Sequence, residues 1–242
     1  MMPNITRGGR MSGLLAYLAG PAREGGNEHV DPHLIAGDSS VMVWHEGVTL
    51  GRESAQHVAA ILDHPRRAFG TRVTVAVRRK STDGELVTTT PGARVLVGSG
   101  GAQEELELPA VPLVKDADVW HCSLSLHADE GVLSDERWAR ISEQFVAKMG
   151  FADPASEAAP CRWVALRHGL SKGGNDHVHV VVSLVQEDGE KADTWNDRPR
   201  AQQAAGELER EHGLQVLESR GAGRGGREST PAERGRAERR ET

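Results

Sequence analysis

Valine alternates with histidine from residue 177 onward: His177, Val178, His179, Val180, then Val181, Val182 and Ser183. On an extended strand that alternation turns Val178, Val180 and Val182 to one face, which should be buried, and both imidazoles to the other. Just upstream, residues 163–167 form a second apolar run that ends at His168. The Gly-rich stretch 169–174 joins the two runs, which predicts an antiparallel hairpin with His168 near the other pair. Further strands are predicted at 2–7, His33–Gly37 and 119–126. Residues 71–79 and 85–90 alternate around a turn signal at 81–84, with Arg94–Val97 and 105–108 extending this β-rich region. Helical spacing appears over Met11–Ala19, ended by Gly20 and Pro21, and over 54–69, where Val58, Ala59, Ile61 and Leu62 share a side. A third helix spans 134–149, with Ser134 as its cap and Arg137 where a capping box would carry an acid. A fourth covers 197–212 and closes at Gly213, followed by a short strand at 214–217. Strands and helices in this order predict an α+β fold, a central antiparallel β-sheet with helices packed on it.

With 242 residues, 38% of them hydrophobic, the chain can bury one good core. The expected organisation is a single domain over 1–218 with a β-rich insertion at about 71–112. Residues 219–242 are rich in Gly, Arg and Glu and lack apolar side chains, so they read as a disordered charged tail or a linker to a missing C-terminal region. That tail holds seven Arg and four Glu; the formal charge of −6 therefore leaves −9 on the rest. An acidic domain argues mildly against nucleic acid, although basic clusters can still line a groove. Cys122 and Cys161 both fall in predicted strands and form no disulfide framework, and the first residues lack a signal core. A reducing cytoplasm is the expected compartment, and no run is long enough to insert in a membrane.

Three neutral imidazoles, His168, His177 and His179, converging at one end of a hairpin make a divalent-metal site with positions left open for substrate. A structural site would normally close with a fourth protein ligand. The chain has one tyrosine, Tyr17, on the short N-terminal helix beside Leu14, Leu15 and Leu18. A phenol suits reversible attack on a phosphodiester, because the covalent phosphotyrosine conserves the bond energy.

These segments resemble the relaxases of conjugative and mobilisable plasmids, the HUH (His-hydrophobe-His) endonucleases, and among them the P-type mobilisation nickases and their actinobacterial relatives. The matching stretches are 7–10 through 14–18, then 120–126 with 133–138, then 167–168 through 176–183. Their order and spacing agree over about residues 5–218. The resemblance implies that Tyr17 is the nicking nucleophile and that His168, His177 and His179 hold the metal. It places His121 where relatives often have an acid or histidine near the metal or nucleophile, as a base or an outer support. Ser183 departs from the Asn that commonly follows the His-x-His strand. Histidine is the nucleophile in another relaxase class, which makes His29 the reserve, with Glu28 a possible base or outer support.

The implied activity is site- and strand-specific nicking at an origin of transfer through a 5′-phosphotyrosyl intermediate. Single-stranded origin DNA is then the substrate, with relaxosome accessory proteins and a coupling ATPase as partners. A His-only ligand set suits Mn²⁺, Zn²⁺ or Ni²⁺ better than Mg²⁺, which prefers oxygen. Candidate phosphate contacts are Arg7, Arg10, Arg66, Arg67, Arg78, Arg79, Lys80, Arg198 and Arg200, with Trp195 for base stacking. His45, His57, His64, His127 and His212 are expected on the surface. A replication initiator or transposase shares the motif but usually carries its tyrosine downstream of it, where this chain has none. An inactive DNA-binding accessory protein of the same fold is a further alternative. A cupin-like enzyme would need a barrel that these helices disfavour.

Overall fold

The computed structural model describes residues 1–21, 30–80, 86–90, 94–97, 104–171 and 173–217. The expectations for Glu28, His29, the 81–84 turn and the 219–242 tail lie outside the described residues.

Five strands make one sheet: Met2–Gly8 (β1), His33–Gly37 (β2), and three from the second half of the chain, introduced below with their numbers in chain order. Between them run helices Met11–Ala19 (α1), Ser39–His45 (α2), Arg52–Leu62 (α3) and His64–Phe69 (α4). Eight short strands then pair off two by two. Thr74–Ala76 (β3) pairs with Val114–Asp116 (β10), and Arg79–Lys80 (β4) with Leu86–Val87 (β5). Thr89–Thr90 (β6) pairs with Val111–Pro112 (β9), and Arg94–Val97 (β7) with Glu104–Glu107 (β8). The chain returns to the main sheet with Val119–Ser125 (β11), helix Asp135–Lys148 (α5), strands Cys161–Arg167 (β12) and His177–Gln186 (β13), and helix Asp197–Glu211 (α6).

The order of the large sheet is β1-β11-β13-β12-β2, and every neighbouring pair is antiparallel. This is the α+β arrangement expected from the pattern of elements. Alternation along the strands gives the sheet two apolar faces. Trp120, Cys122, Leu124, Ala165, Val178, Val180 and Val182 face α5 and α6, whose Trp138, Ile141, Phe145, Ala204 and Leu208 cover them. Val119, Val164, Leu166 and Val181 face the other way, against Leu15 and Leu18 of α1 and Ala55, Val58 and Leu62 of α3. Each fully buried Val or Leu contributes roughly 1.5–3 kcal/mol. The chain thus builds two cores, one on either side of a shared sheet, where a single core was expected.

Several elements differ from the sequence pattern. The expected helix over 54–69 is two helices, because Pro65 has no N–H to give the Ile61 carbonyl and the first helix ends before it. Helix α2, which the pattern did not single out, starts where the Asp38 carboxylate accepts the backbone N–H of Ser40 at 2.9 Å. The strand expected over 71–79 is reduced to β3 and β4. No strand forms at 214–217: the backbone N–H of Leu214 closes the end of α6 on Glu209, and that of Gln215 goes to the Glu130 carboxylate. Ser134 caps α5 as expected, accepting from Arg137 N at 3.3 Å. Cys122 and Cys161 are free thiols; burial pushes both upward, Cys161 to about 12. Among the described residues no helix is long and apolar enough to cross a membrane.

Candidate metal centre and nuclease site

Strand β12 pairs with β13 so that Leu166 stands opposite His179. Two residues on, where β12 has ended, the chain brings the ring of His168 beside that of His177. Gly169, at φ +101°, then turns the chain away, a conformation that disfavours any side chain. Ring centroids lie 4.6 Å apart for His168 and His179, 5.0 Å for His177 and His179, and 5.1 Å for His168 and His177. The three rings offer one nitrogen each, all within 4.8 Å of one another, and His168 and His177 are buried. That spacing fits three ligands converging on one ion.

Hydrogen bonds to the ring nitrogens fix how these imidazoles are held. His177 Nδ1 meets the carbonyl of Asn175 at 3.3 Å, which requires the proton on Nδ1 and leaves the lone pair on Nε2. His179 Nδ1 meets His121 Nε2 at 2.9 Å, and His121 Nδ1 meets Thr6 Oγ1 at 3.0 Å. With Nδ1 protonated on both rings, His179 donates to His121 and His121 to the hydroxyl, so His179 also turns the Nε2 lone pair to the cluster. Burial pushes His121 down to about 4, so it is neutral and able to accept this bond. His121 therefore fixes the orientation of the His179 ring. Donor type, spacing and proton placement together suit a divalent ion.

Tyr17 stands on α1, whose Met11, Leu15 and Leu18 pack on the sheet face formed by Val164, Leu166 and Val181. Those positions are in phase with His168, His177 and His179, so the tyrosine helix and the three histidines share one face of the sheet. Tyr17 is 47% exposed, so its ring is not sealed in the interior. Val30 N donates to the His168 carbonyl at 2.9 Å, which brings the chain at residue 30 to this site.

The expected phosphate contacts fall in several places. Arg10, Arg66 and Arg67 line a cleft of about 280 Å³ with Ser12 and Gln56 at the start of α1, where Arg66 is also paired with Asp63 at 2.6 Å. Arg78 and Arg79 are exposed. Arg7 donates to Asp197 Oδ2 at 2.7 Å and to the Thr194 carbonyl at 3.2 Å. Arg198 reaches the Ile5 carbonyl at 3.4 Å, and Arg200 bonds the carbonyls of Met149 and Asp193. Trp195 is 77% exposed, open to a stacking base. Ser183 is buried on β13, opposite Val119. One expectation is corrected: His45 is not a surface residue but 7% exposed, its Nε2 2.9 Å from Nδ1 of His57. The two rings meet where α2 packs on α3, and burial lowers His45.

Sequence reasoning missed the charged residues behind the histidines. Asp176, fully buried, accepts from Arg167, from the backbone of Leu133 and from the indole of Trp138. Asp135 accepts from Arg167 and lies 3.2 Å from His33 Nε2. Burial opposes its ionisation, but these two partners hold its carboxyl below the ordinary range. The available signal was a charge placed directly before each of two histidines.

No curated protein and no solved structure matches the chain. Residues 110–214 match the family model of the MobA/VirD2-like relaxase, nuclease domain. The matched stretch holds β11, α5, the histidine hairpin and α6, and with them His121, His168, His177 and His179; Tyr17 and α1 precede it. The match and the histidine cluster within it support a relaxase-type DNA nuclease at the level of the family.

Proposed function

We propose that the protein nicks one strand of DNA at an origin of transfer and stays covalently attached to it through Tyr17. The observation that carries this is a three-histidine cluster inside a relaxase-type stretch, on the sheet face where α1 presents an exposed tyrosine. The Tyr17 oxygen attacks the scissile phosphorus, the bond to the 3′-oxygen breaks, and the phenolic proton leaves so that a 3′-hydroxyl is released. The product is a 5′-phosphotyrosyl link, and attack by a 3′-hydroxyl reverses the step and reseals the strand. His168, His177 and His179 would hold a divalent ion, which would supply Lewis-acid stabilisation of the charge developing on the phosphate. His121 keeps His179 in the tautomer that this requires. Among the ions, Mn²⁺, Zn²⁺ and Ni²⁺ suit the ligands better than Mg²⁺. Exposed Trp195 and the arginines beside α1 are the proposed contacts for unpaired bases and phosphates. The proposed setting is the cytoplasm during plasmid or element mobilisation, with relaxosome proteins and a coupling ATPase as partners.

Incubation with a single-stranded origin oligonucleotide and Mn²⁺, followed by mass spectrometry of the adduct, tests the assignment. The adduct is expected on Tyr17, and Tyr17→Phe should lower cleavage by a factor of roughly 10³ or more. An adduct on His29, or cleavage that survives Tyr17→Phe, rejects the tyrosine mechanism.

A further inference from the structure

Each arm of the histidine hairpin is anchored at the residue just before its first histidine. Arg167 precedes His168, and Asp176 precedes His177. Arg167 Nη2 donates to Asp176 Oδ1 at 2.9 Å, across the mouth of the loop that separates the arms. The other Asp176 oxygen accepts from Leu133 N and from Trp138 Nε1, both at 2.8 Å. The Asp176 backbone carbonyl accepts from Leu126 N at 2.9 Å, which ties it to the end of β11. Arg167 uses Nη1 on Asp135 Oδ1 at 2.5 Å, at the first turn of α5. Asp176 is 0% exposed, so its charge is neutralised by a fixed set of donors and not by water.

Resting on the reading that His168, His177 and His179 share an ion, we propose that Arg167 and Asp176 are positioning residues for that ion. Their ion pair cross-braces the two arms and holds His168 and His177 at ligand spacing before any ion arrives. A hairpin joined by a Gly-rich loop has little stiffness of its own at the loop end. Each brace acts one residue from a ligand, so a shift of either backbone moves an imidazole directly. Asp135 and Trp138 extend the brace to α5, which is packed into the core behind the sheet. A second ion pair, Arg162 with Glu187 just past β13, ties the two strands at their far end, five residues from Arg167 along β12 and roughly 16 Å away. It serves as an internal control for a contact that only stiffens the sheet.

The test is calorimetric titration of the whole chain with Mn²⁺ or Zn²⁺ alone, beside the visible absorption of bound Co²⁺, which reports ligand number and geometry. Asp176→Asn and Arg167→Lys should each weaken ion binding 10–100-fold and alter the Co²⁺ spectrum. Glu187→Gln should stay within about twofold of the unaltered chain, as expected for a contact remote from the ligands. Asp176→Asn alters a buried charge and can prevent folding. Arg167→Lys keeps a cation in the gap but has no fork to grip Asp135 and Asp176 together. A folded Arg167→Lys with unchanged affinity and spectrum overturns the proposal by itself, as does an equal loss in Glu187→Gln. If the unaltered chain binds no ion, the three-histidine reading falls and takes this one with it. Equal binding by all variants rejects the brace alone.

Discussion

A single arginine shows how far apart the parts of one contact can be in the chain. Arg7 was expected to meet a DNA phosphate, and it is bonded instead to Asp197, which also accepts from the buried indole of Trp120. Burial opposes ionisation of Asp197, but these donors outweigh it and hold the carboxyl below its ordinary range. Arg7→Ala should therefore cost about 2 kcal/mol at pH 7, measured by urea unfolding, because it leaves a largely buried carboxylate half-satisfied. The sign with pH follows from the lowered value. Asp197 stabilises the fold above the ordinary carboxylate range, near pH 4, and the contribution disappears as pH falls through the lower folded value. The gap between Arg7→Ala and the unaltered chain should narrow as pH falls; a gap that does not narrow in acid would exclude this origin. The histidine cluster was legible because alternation with valine is a local signal. The bonds of Arg7 and the burial of His45 were not, because their partners are set by which strands and helices become neighbours.

Helix α1 illustrates the same limit one level up. It is nine residues long, Arg10 gives it no side-chain cap, and its first turn has no acidic residue. So short a helix is marginal alone and persists because Leu15 and Leu18 are buried against the sheet. Leu15→Ala should cost roughly 2–5 kcal/mol in urea unfolding. DNA nicking should fall more than Mn²⁺ affinity, because the three histidines proposed to hold the ion sit on and beside β12 and β13 and not on α1. Equal loss of both would mean that the two halves of the site are not separately supported. The long elements β11, β13, α5 and α6 were clear in the pattern, since many residues repeat one period. Pro65 marks the break between α3 and α4, a boundary that the run of apolar side chains conceals. The two-residue strands are beyond any periodicity.

At the scale of the molecule, an ion held by His168, His177 and His179 would tie the end of β12 to β13 in the middle of the sheet. Present at about 100 times its dissociation constant, it should add about 2.7 kcal/mol to folding stability. For a domain of this size that is a rise in melting temperature of roughly 5–10 °C. EDTA should reverse the rise, and His179→Ala should show none; a rise retained by His179→Ala would place the ion elsewhere. The overall charge of −6 gave little guidance to a DNA partner, because cationic groups act where they cluster, as at the start of α1, and not as a sum.

The strand order has a consequence for how the protein is born. β1 and β2 are made first, yet they lie at opposite edges of the sheet, and their neighbours in it are β11 and β12. A nascent chain on the ribosome can extrude its tyrosine helix early, but it has no platform for that helix until the central strands follow. The proposed chemistry would therefore stay silent through most of translation and awaken only after His179 has emerged.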